Sequence, residues 1–387
     1  VLSAILSIII VARVTNWWTG PQSYRVYVVG SFNPSQEITK EVWQGLTDKG
    51  DLKATIDGVS VVADWVNDAG DPTEARTVAS ALAARSDTLM VVGHLLSTQS
   101  KAALPFYLFT EQPIPVILAT ETNPEVLPVN APDEGPYPVF RLSPTDDEQA
   151  GIAADFAVEK MGADRFWIVR DTHNGTYSTY LTEEFQHRVI QKGKHVVMTT
   201  TTDVHPDENE LKKGNIDCVF FAGDESHAML LIDQIRSIAW TRKPRVILSD
   251  WSVGPNLLPE KGEAAEGIFL THPLAADVYR KDSYVWYGRQ VREIVEHIIR
   301  DANLRFSQAL IDKKPVSFLL KRVLNIHRVG DARTAVSAIM NERHTFQTQD
   351  LMYKFDHEGR NATSEFHVWK IQNRKFLECD QDDGTCK

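Results

Sequence analysis

A strand–helix rhythm that runs once, pauses and starts again constrains this chain more than any other feature. Short runs rich in β-branched and aromatic residues fall at 25–30 (RVYVVG), 59–65 (VSVVADW), 88–93 and 116–119. Between them lie stretches of helical character over 36–48, from Asp71-Pro72 onward, and from about Ser97. An Asp followed by Pro is a helix start signal, because Pro at the first helical position gives up an N–H that has no intrahelical partner. After Asp146 the alternation restarts. A helix over 148–161 leads to strands at 165–170, 195–201, 218–221, 245–249 and 268–271, with helices reaching about 191, near 209 and over 226–240. A long helix is expected over 284–301, more helical material to 341, and closing β-runs at 352–355 and 365–371. Alternation of this kind predicts parallel sheets covered by helices on both faces. Two successive units of similar size predict an α/β protein of two doubly wound lobes, which suits 387 residues at roughly 100–200 per domain.

Composition narrows the function classes. Hydrophobic residues at 43% and charged residues at 24% exclude a disordered chain, a collagen and a disulfide scaffold. With 41 Lys+Arg against 52 Asp+Glu, a net charge of −11 and no long basic run, nothing is present to neutralise a phosphate backbone, so no nucleic-acid partner is expected. No uninterrupted apolar run reaches the roughly 20 residues of a spanning helix, which excludes a polytopic membrane protein. Residues 1–12 are apolar apart from Ser3 and Ser7, and Arg13 follows. Segment 1–23 is therefore expected to be the remnant of a signal peptide or membrane anchor, or else a helix packed on the body. Cys218 sits in an apolar run and reads as a small buried hydrophobe. Cys379 and Cys386 bracket a polar tail and form either a disulfide, which implies an oxidising compartment, or a pair of exposed thiols.

Catalytic signatures are absent. There is no Gly-x-Ser-x-Gly elbow, no phosphate-binding Walker loop and no His-Glu-x-x-His helix. Gly30-Ser31-Phe32-Asn33 is not a dinucleotide fingerprint, and the twelve histidines are scattered without metal-ligand spacing. The expectation is no enzyme, no cofactor and no metal.

Several motifs in order point elsewhere. Asn67-Asp68-Ala69-Gly70-Asp71-Pro72-Thr73-Glu74-Ala75 is followed by Val91-Val92-Gly93-His94-Leu95-Leu96-Ser97-Thr98. Then come Thr120-Glu121-Thr122-Asn123-Pro124-Glu125, Phe140-Arg141-Leu142-Ser143-Pro144 with Asp147 to Gln149, Glu266-Gly267, and Phe355-Asp356-His357-Glu358-Gly359. Together they resemble the type I periplasmic binding proteins, in particular the branched-chain amino-acid-binding proteins of ABC transporters, over about 24–377. The resemblance implies two lobes joined by three crossovers, near 143–146, 272–274 and 346–350. Lobe one would comprise 24–144 plus 274–346, lobe two 145–273 plus 347–377, with 378–387 as a tail. It also implies hinge closure on a small solute, with no chemistry performed.

In open α/β sheets, ligands bind beyond the carboxyl ends of the strands. Ser97 and Thr98 stand where the strand ending in Gly93 hands over to a helix, and Thr120 and Thr122 at the corresponding end of the next strand. Free backbone N–H groups at a helix start, plus hydroxyls, suit a carboxylate; the alternative is that Ser97 and Thr122 are plain helix caps. By resemblance the second lobe supplies Asp146, Tyr177, Asp224 and Asp250, with Asp250 placed to meet an α-ammonium. The alternative for Asp250 is an exposed loop acid. Departures from the family pattern bear on the ligand. Ile38 stands where an aromatic wall is common, Asn174-Gly175-Thr176 is an insertion, and Ser178 replaces a glycine. Thr120 and Glu121 are larger than usual, and Gly70 and Leu96 replace a cysteine pair of some members. The expected protein is an extracytoplasmic solute-binding protein, monomer or dimer, that takes a small polar ligand such as an amino acid to a membrane permease. The same fold also serves as the ectodomain of an anchored receptor, and an enzyme on a related scaffold is the third reading.

Overall fold

A computed structural model describes residues 23–33, 37–127, 138–312, 329–342, 344–356 and 359–387. Segment 1–23 lies outside the described residues except for Ser23, which opens the first strand. Among the described residues no helix is long and apolar enough to cross a membrane.

The first sheet is built from β1 (Ser23–Gly30), β2 (Ala54–Ile56), β3 (Val59–Asn67), β4 (Thr88–Gly93), β5 (Val116–Leu118) and β6 (Val139–Arg141), in the order β2-β3-β1-β4-β5-β6. All neighbours are parallel except β2, which hairpins back on β3. Residues on alternate sides of β1 serve opposite cores. Val26 and Val28 pack beneath helices Glu37–Thr47, Val285–Asp312 and Val329–Glu342, whereas Tyr27 and Val29 pack against Pro72–Ala84 and Ser97–Leu108. Burial on both faces explains why this strand is a near-continuous apolar run. Asp71 caps helix Pro72–Ala84, accepting hydrogen bonds from the N–H groups of Thr73 and Glu74, with Pro72 in the first turn.

The second sheet comprises β7 (Arg165–Arg170), β8 (His195–Thr201), β9 (Cys218–Ala222), β10 (Arg245–Leu248), β11 (Phe269–His272), β14 (His367–Gln372) and β15 (Lys375–Cys379). Its order is β15-β14-β11-β10-β9-β7-β8. Five strands are parallel, and β14 and β15 add an antiparallel edge. Helices Asp146–Asp155 and Gly175–Gln191 cover one face, and Glu225–Ser237 the other. The remaining strands, β12 (Thr345–Gln347) and β13 (Met352–Lys354), form a small antiparallel ribbon. Cys379 and Cys386 are joined in a disulfide, and Cys218 is a buried free thiol.

The passages between lobes differ in part from expectation. At the first, β6 is followed directly by helix Asp146–Asp155. In the second, Leu274 joins the first lobe's core, but helix Ala276–Asp282 leans on the second sheet, where Arg280 donates to the Phe376 carbonyl. The third lies later than 346–350, because Phe346, Tyr353 and Phe355 pack with Phe140 in the first lobe's core. The chain reaches the second sheet only at His367, so residues 347–356 and 359–361 belong with lobe one. Residues 378–387 are not a free tail: Glu378 and Cys379 complete β15, and Lys387 bonds back to the Glu378 carbonyl.

The late turn ending in Gly359 holds β6 at the first crossover. Its carbonyl accepts the Arg141 N–H at 2.8 Å, and Asn361 donates to the Leu142 carbonyl at 3.0 Å. Gly359 has φ +75°, and a Cβ there would lie 1.8 Å from the Val139 carbonyl oxygen. Left-handed strain of about 1–2 kcal/mol adds to the overlap. Gly359→Ala should therefore lower the unfolding free energy by about 2 kcal/mol in a denaturant titration with unchanged slope.

Candidate functional site

The carboxyl ends of β4, β5, β7 and β10 face one another across the interlobe cleft, and residues that follow them line a cavity there. The first lobe contributes Leu95, Leu96, Ser97, Thr120, Glu121 and Thr122, with Ile38 and Tyr284 closing the sides; the second contributes Asn174, Tyr177, Asp250 and Trp251. Five residues expected from the sequence therefore meet in one place: Ser97, Thr120, Thr122, Tyr177 and Asp250.

Neither Ser97 nor Thr122 serves as a cap. Helix Ser97–Leu108 begins after Leu96, and no side chain of its own segment caps it, so Ser97 occupies the first turn. Asn123, not Thr122, caps the short turn Pro124–Val126 through its bond to the Glu125 N–H. The loop leading to Ser97 is held from behind by buried groups. His94 bonds Asp68 through Nδ1 at 2.7 Å and Tyr107 through Nε2 at 3.1 Å. Thr98 is not among the residues lining the cavity; its hydroxyl donates to Asn174 Oδ1 at 2.7 Å. Beside it, Asn123 donates to the Thr176 carbonyl at 3.0 Å, so the inserted Asn174-Gly175-Thr176 reaches across to the first lobe.

Asp250 is not an exposed loop acid. It is buried, and its Oδ1 accepts from the Tyr177 hydroxyl at 2.5 Å and from Gln149 Nε2 at 2.9 Å. Burial pushes its carboxyl above the ordinary range, and pushes the Tyr177 hydroxyl well above its own. Trp251 meets Tyr177 edge-on at 5.9 Å, forming an aromatic wall on this side.

Asp146 and Asp224 stand apart from the cavity lining. Asp146 opens its helix just behind Thr122, wholly buried, with the Thr122 side chain hydrogen-bonding toward its carboxyl. Burial raises its pKa well above the ordinary value, with the nearby Asp250 charge acting in the same direction. Asp224 caps helix Glu225–Ser237, accepting from the His227 N–H, and sits among histidines instead of facing the cavity.

Glu121 was not anticipated as a site residue. Fully buried at the cavity wall, its carboxyl is pushed up to about 7, chiefly by burial. The local hydrogen bonds agree. Ser100 Oγ lies 2.5 Å from both the His94 carbonyl and Glu121 Oε1, yet has one proton to give. Both contacts are satisfied when Ser100 donates to the carbonyl and a protonated Glu121 donates to Ser100. Leu95, Leu96 and Glu121 fall inside the quoted motifs, and Trp251 adjoins Asp250, so sequence position alone could have suggested them. Tyr284 comes from a third segment, with no local signal; its hydroxyl lies 3.4 Å from His272 Nε2.

A cleft lined by polar side chains between the strand ends of two α/β lobes is the two-jawed architecture of a binding-protein fold, and the chain belongs to the periplasmic binding protein family, whose model matches residues 45–288. It is similar to an amino acid binding protein of Pseudomonas aeruginosa, 26% identical over 60% of this chain and 62% of that protein. It is also similar to a Leu/Ile/Val/Thr-binding protein of Salmonella typhimurium, 27% identical over 57% of this chain and 59% of that one. The matched region thus spans about three-fifths of the length of these curated relatives. The fold agrees over nearly the whole length with a leucine-binding protein from Thermotoga maritima: TM-score 0.73, 18% identity, 92% of this chain and 98% of that one.

Proposed function

We propose that this chain is an extracytoplasmic binding protein for a free α-amino acid, which it holds by closure of its two lobes and delivers to a membrane permease. The supporting observation is the polarity of the cavity. A helix start with the Ser97, Thr120 and Thr122 hydroxyls lies on one jaw, and Asp250, braced by Tyr177 and Gln149, on the other. Hydroxyls and backbone N–H groups at a helix start favour an anion, and a desolvated carboxylate favours an ammonium. A ligand that satisfies both carries the two charges close together. Among the described residues the lobes in this reading fall within 24–142 with 284–361, and 146–272 with 366–387, and ligand shifts them toward closure only through its greater affinity for the closed state.

A thermal-shift panel of amino acids, amides, short-chain acids and sugars tests this. A ligand at 100 times its dissociation constant adds roughly 2.7 kcal/mol of stability; silence across the amino acids would sink the proposal. Ser97→Ala should remove one hydrogen bond to a charged group, about 1.5 kcal/mol or a little over tenfold in Kd by calorimetry, with unchanged stability of the free protein.

A further inference from the structure

We propose that the second lobe carries a binding site for a divalent transition-metal ion, Zn²⁺ by its geometry, formed by Asp171, His173, Asp224 and His227. The two pairs come from the turns after β7 and β9, neighbouring parallel strands, where the Asp171 N–H bonds the Ala222 carbonyl at 3.1 Å. Each turn carries half a site, Asp-x-His in one and Asp-x-x-His in the other. Because the halves lie 51 residues apart between His173 and Asp224, the sequence shows no metal-ligand spacing. The fold removes that separation, and one donor atom from each of the four side chains lies within 4.8 Å of all the others.

The nitrogen–oxygen contacts, which involve both oxygens of each carboxylate, approach the donor spacing of a tetrahedral ion, with the His173–Asp171 contact the widest. Bonds of about 2.0–2.1 Å require neighbouring donors roughly 3.3–3.4 Å apart. His227 Nδ1 lies 3.1 Å from Asp224 Oδ1 and 3.3 Å from Asp171 Oδ2; His173 Nδ1 lies 3.2 Å from Asp224 Oδ2 and 3.9 Å from Asp171 Oδ1. Both imidazoles thus turn the same nitrogen toward the same two carboxylates, with ring centroids 4.6 Å apart. His227 Nδ1 is close to two carboxylates at once, so an ion bound to it would meet an oxygen of each.

The acids are also positioned in advance. Asp171 is wholly buried, and its oxygens accept the backbone N–H groups of His173 at 2.8 Å and Asp224 at 2.9 Å. Asp224 Oδ1 accepts the His227 N–H at 2.8 Å. Such backbone bonds orient a carboxylate while leaving lone pairs for an ion, as outer-shell partners do in metal sites. The His173 side chain is 64% exposed, which gives an ion a route in. Two imidazole nitrogens with two carboxylate oxygens suit zinc and its first-row neighbours, while calcium and magnesium take oxygen ligands. None of the four residues lines the amino-acid cavity, so the inference is independent of the proposed ligand.

The test is a calorimetric titration of ZnCl₂ into the untagged, chelator-treated full chain, alongside His173→Ala and His227→Ala. Wild type should bind one tight equivalent, and each variant should lose roughly 100-fold or more in affinity for it, since even outer-shell changes cost 10–100-fold. Co²⁺ added in place of zinc should give the intense visible bands of a tetrahedral site at the same stoichiometry in wild type alone. Circular dichroism of the exposed-site variant His173→Ala reports whether the fold is kept. No tight equivalent in wild type, or its persistence in both variants, overturns the proposal.

Discussion

Asp250→Asn should weaken binding of the amino-acid ligand by about 2–5 kcal/mol, roughly 30-fold to several thousand-fold in Kd at neutral pH, as expected when one partner of a buried charge pair is lost. The substitution keeps the side chain's shape and an oxygen able to accept from Tyr177 and Gln149, so what it removes is charge. Because burial already raises the Asp250 carboxyl, an arriving ammonium must favour its ionised form. Binding should therefore weaken as pH falls from neutral toward the ordinary carboxylate range, and the variant should show much less of this dependence. Ligands without an amine should bind wild type and variant alike. Equal affinity of the two proteins for an amino acid would remove Asp250 from the site and leave Glu121 as the acid lining the cavity.

Glu121 is expected to make the free protein less stable as pH rises. In the unfolded chain its carboxyl titrates near 4.5, whereas in the folded protein it is pushed up to about 7. Between those values the folded state holds a proton that the unfolded state has released, so stability falls with rising pH and levels off above about 7. The full difference is about 3 kcal/mol. Glu121→Gln, which keeps the proton-bearing shape at all pH values, should flatten that part of the profile and be more stable than wild type at pH 8. Denaturant titrations of both proteins from pH 4.5 to 8.5 measure the difference directly, and the comparison isolates Glu121 from Asp146 and Asp250, whose raised carboxyls act in the same sense. Parallel profiles would show that Glu121 is ionised in the fold.

Local signals carried well from sequence to structure, and long-range ones did not. Asp71-Pro72 marked a helix start because capping depends on adjacent residues, and the central strands stood out because burial on both faces demands unbroken apolar runs. Short strands such as β2 and β6 have three residues each and no periodicity to read. The third crossover was misplaced because Tyr353 and Phe355 give an apolar β-run that suits either lobe; only the stacking of Phe355 on Phe140, with Tyr353 on Phe355, assigns it to the first. At the site, residues just after strand ends were legible, since topology alone directs them to the cleft. Asp224 follows that rule too, yet its capping bond and the neighbouring histidines hold it elsewhere. Tyr284 and the paired half-sites around Asp171 and Asp224 depend on segments that meet only in the fold.

The most direct test of the central claim is calorimetric titration with three matched compounds: the amino acid that gives the largest thermal shift, the same molecule without its amine, and the same molecule without its carboxylate. A cavity with hydroxyls and a helix start on one jaw and Asp250 on the other should bind the first and lose roughly 30-fold or more with each of the others, at least 2 kcal/mol per missing charge. Equal affinity for the intact amino acid and either truncated form would contradict the two-jawed recognition proposed here.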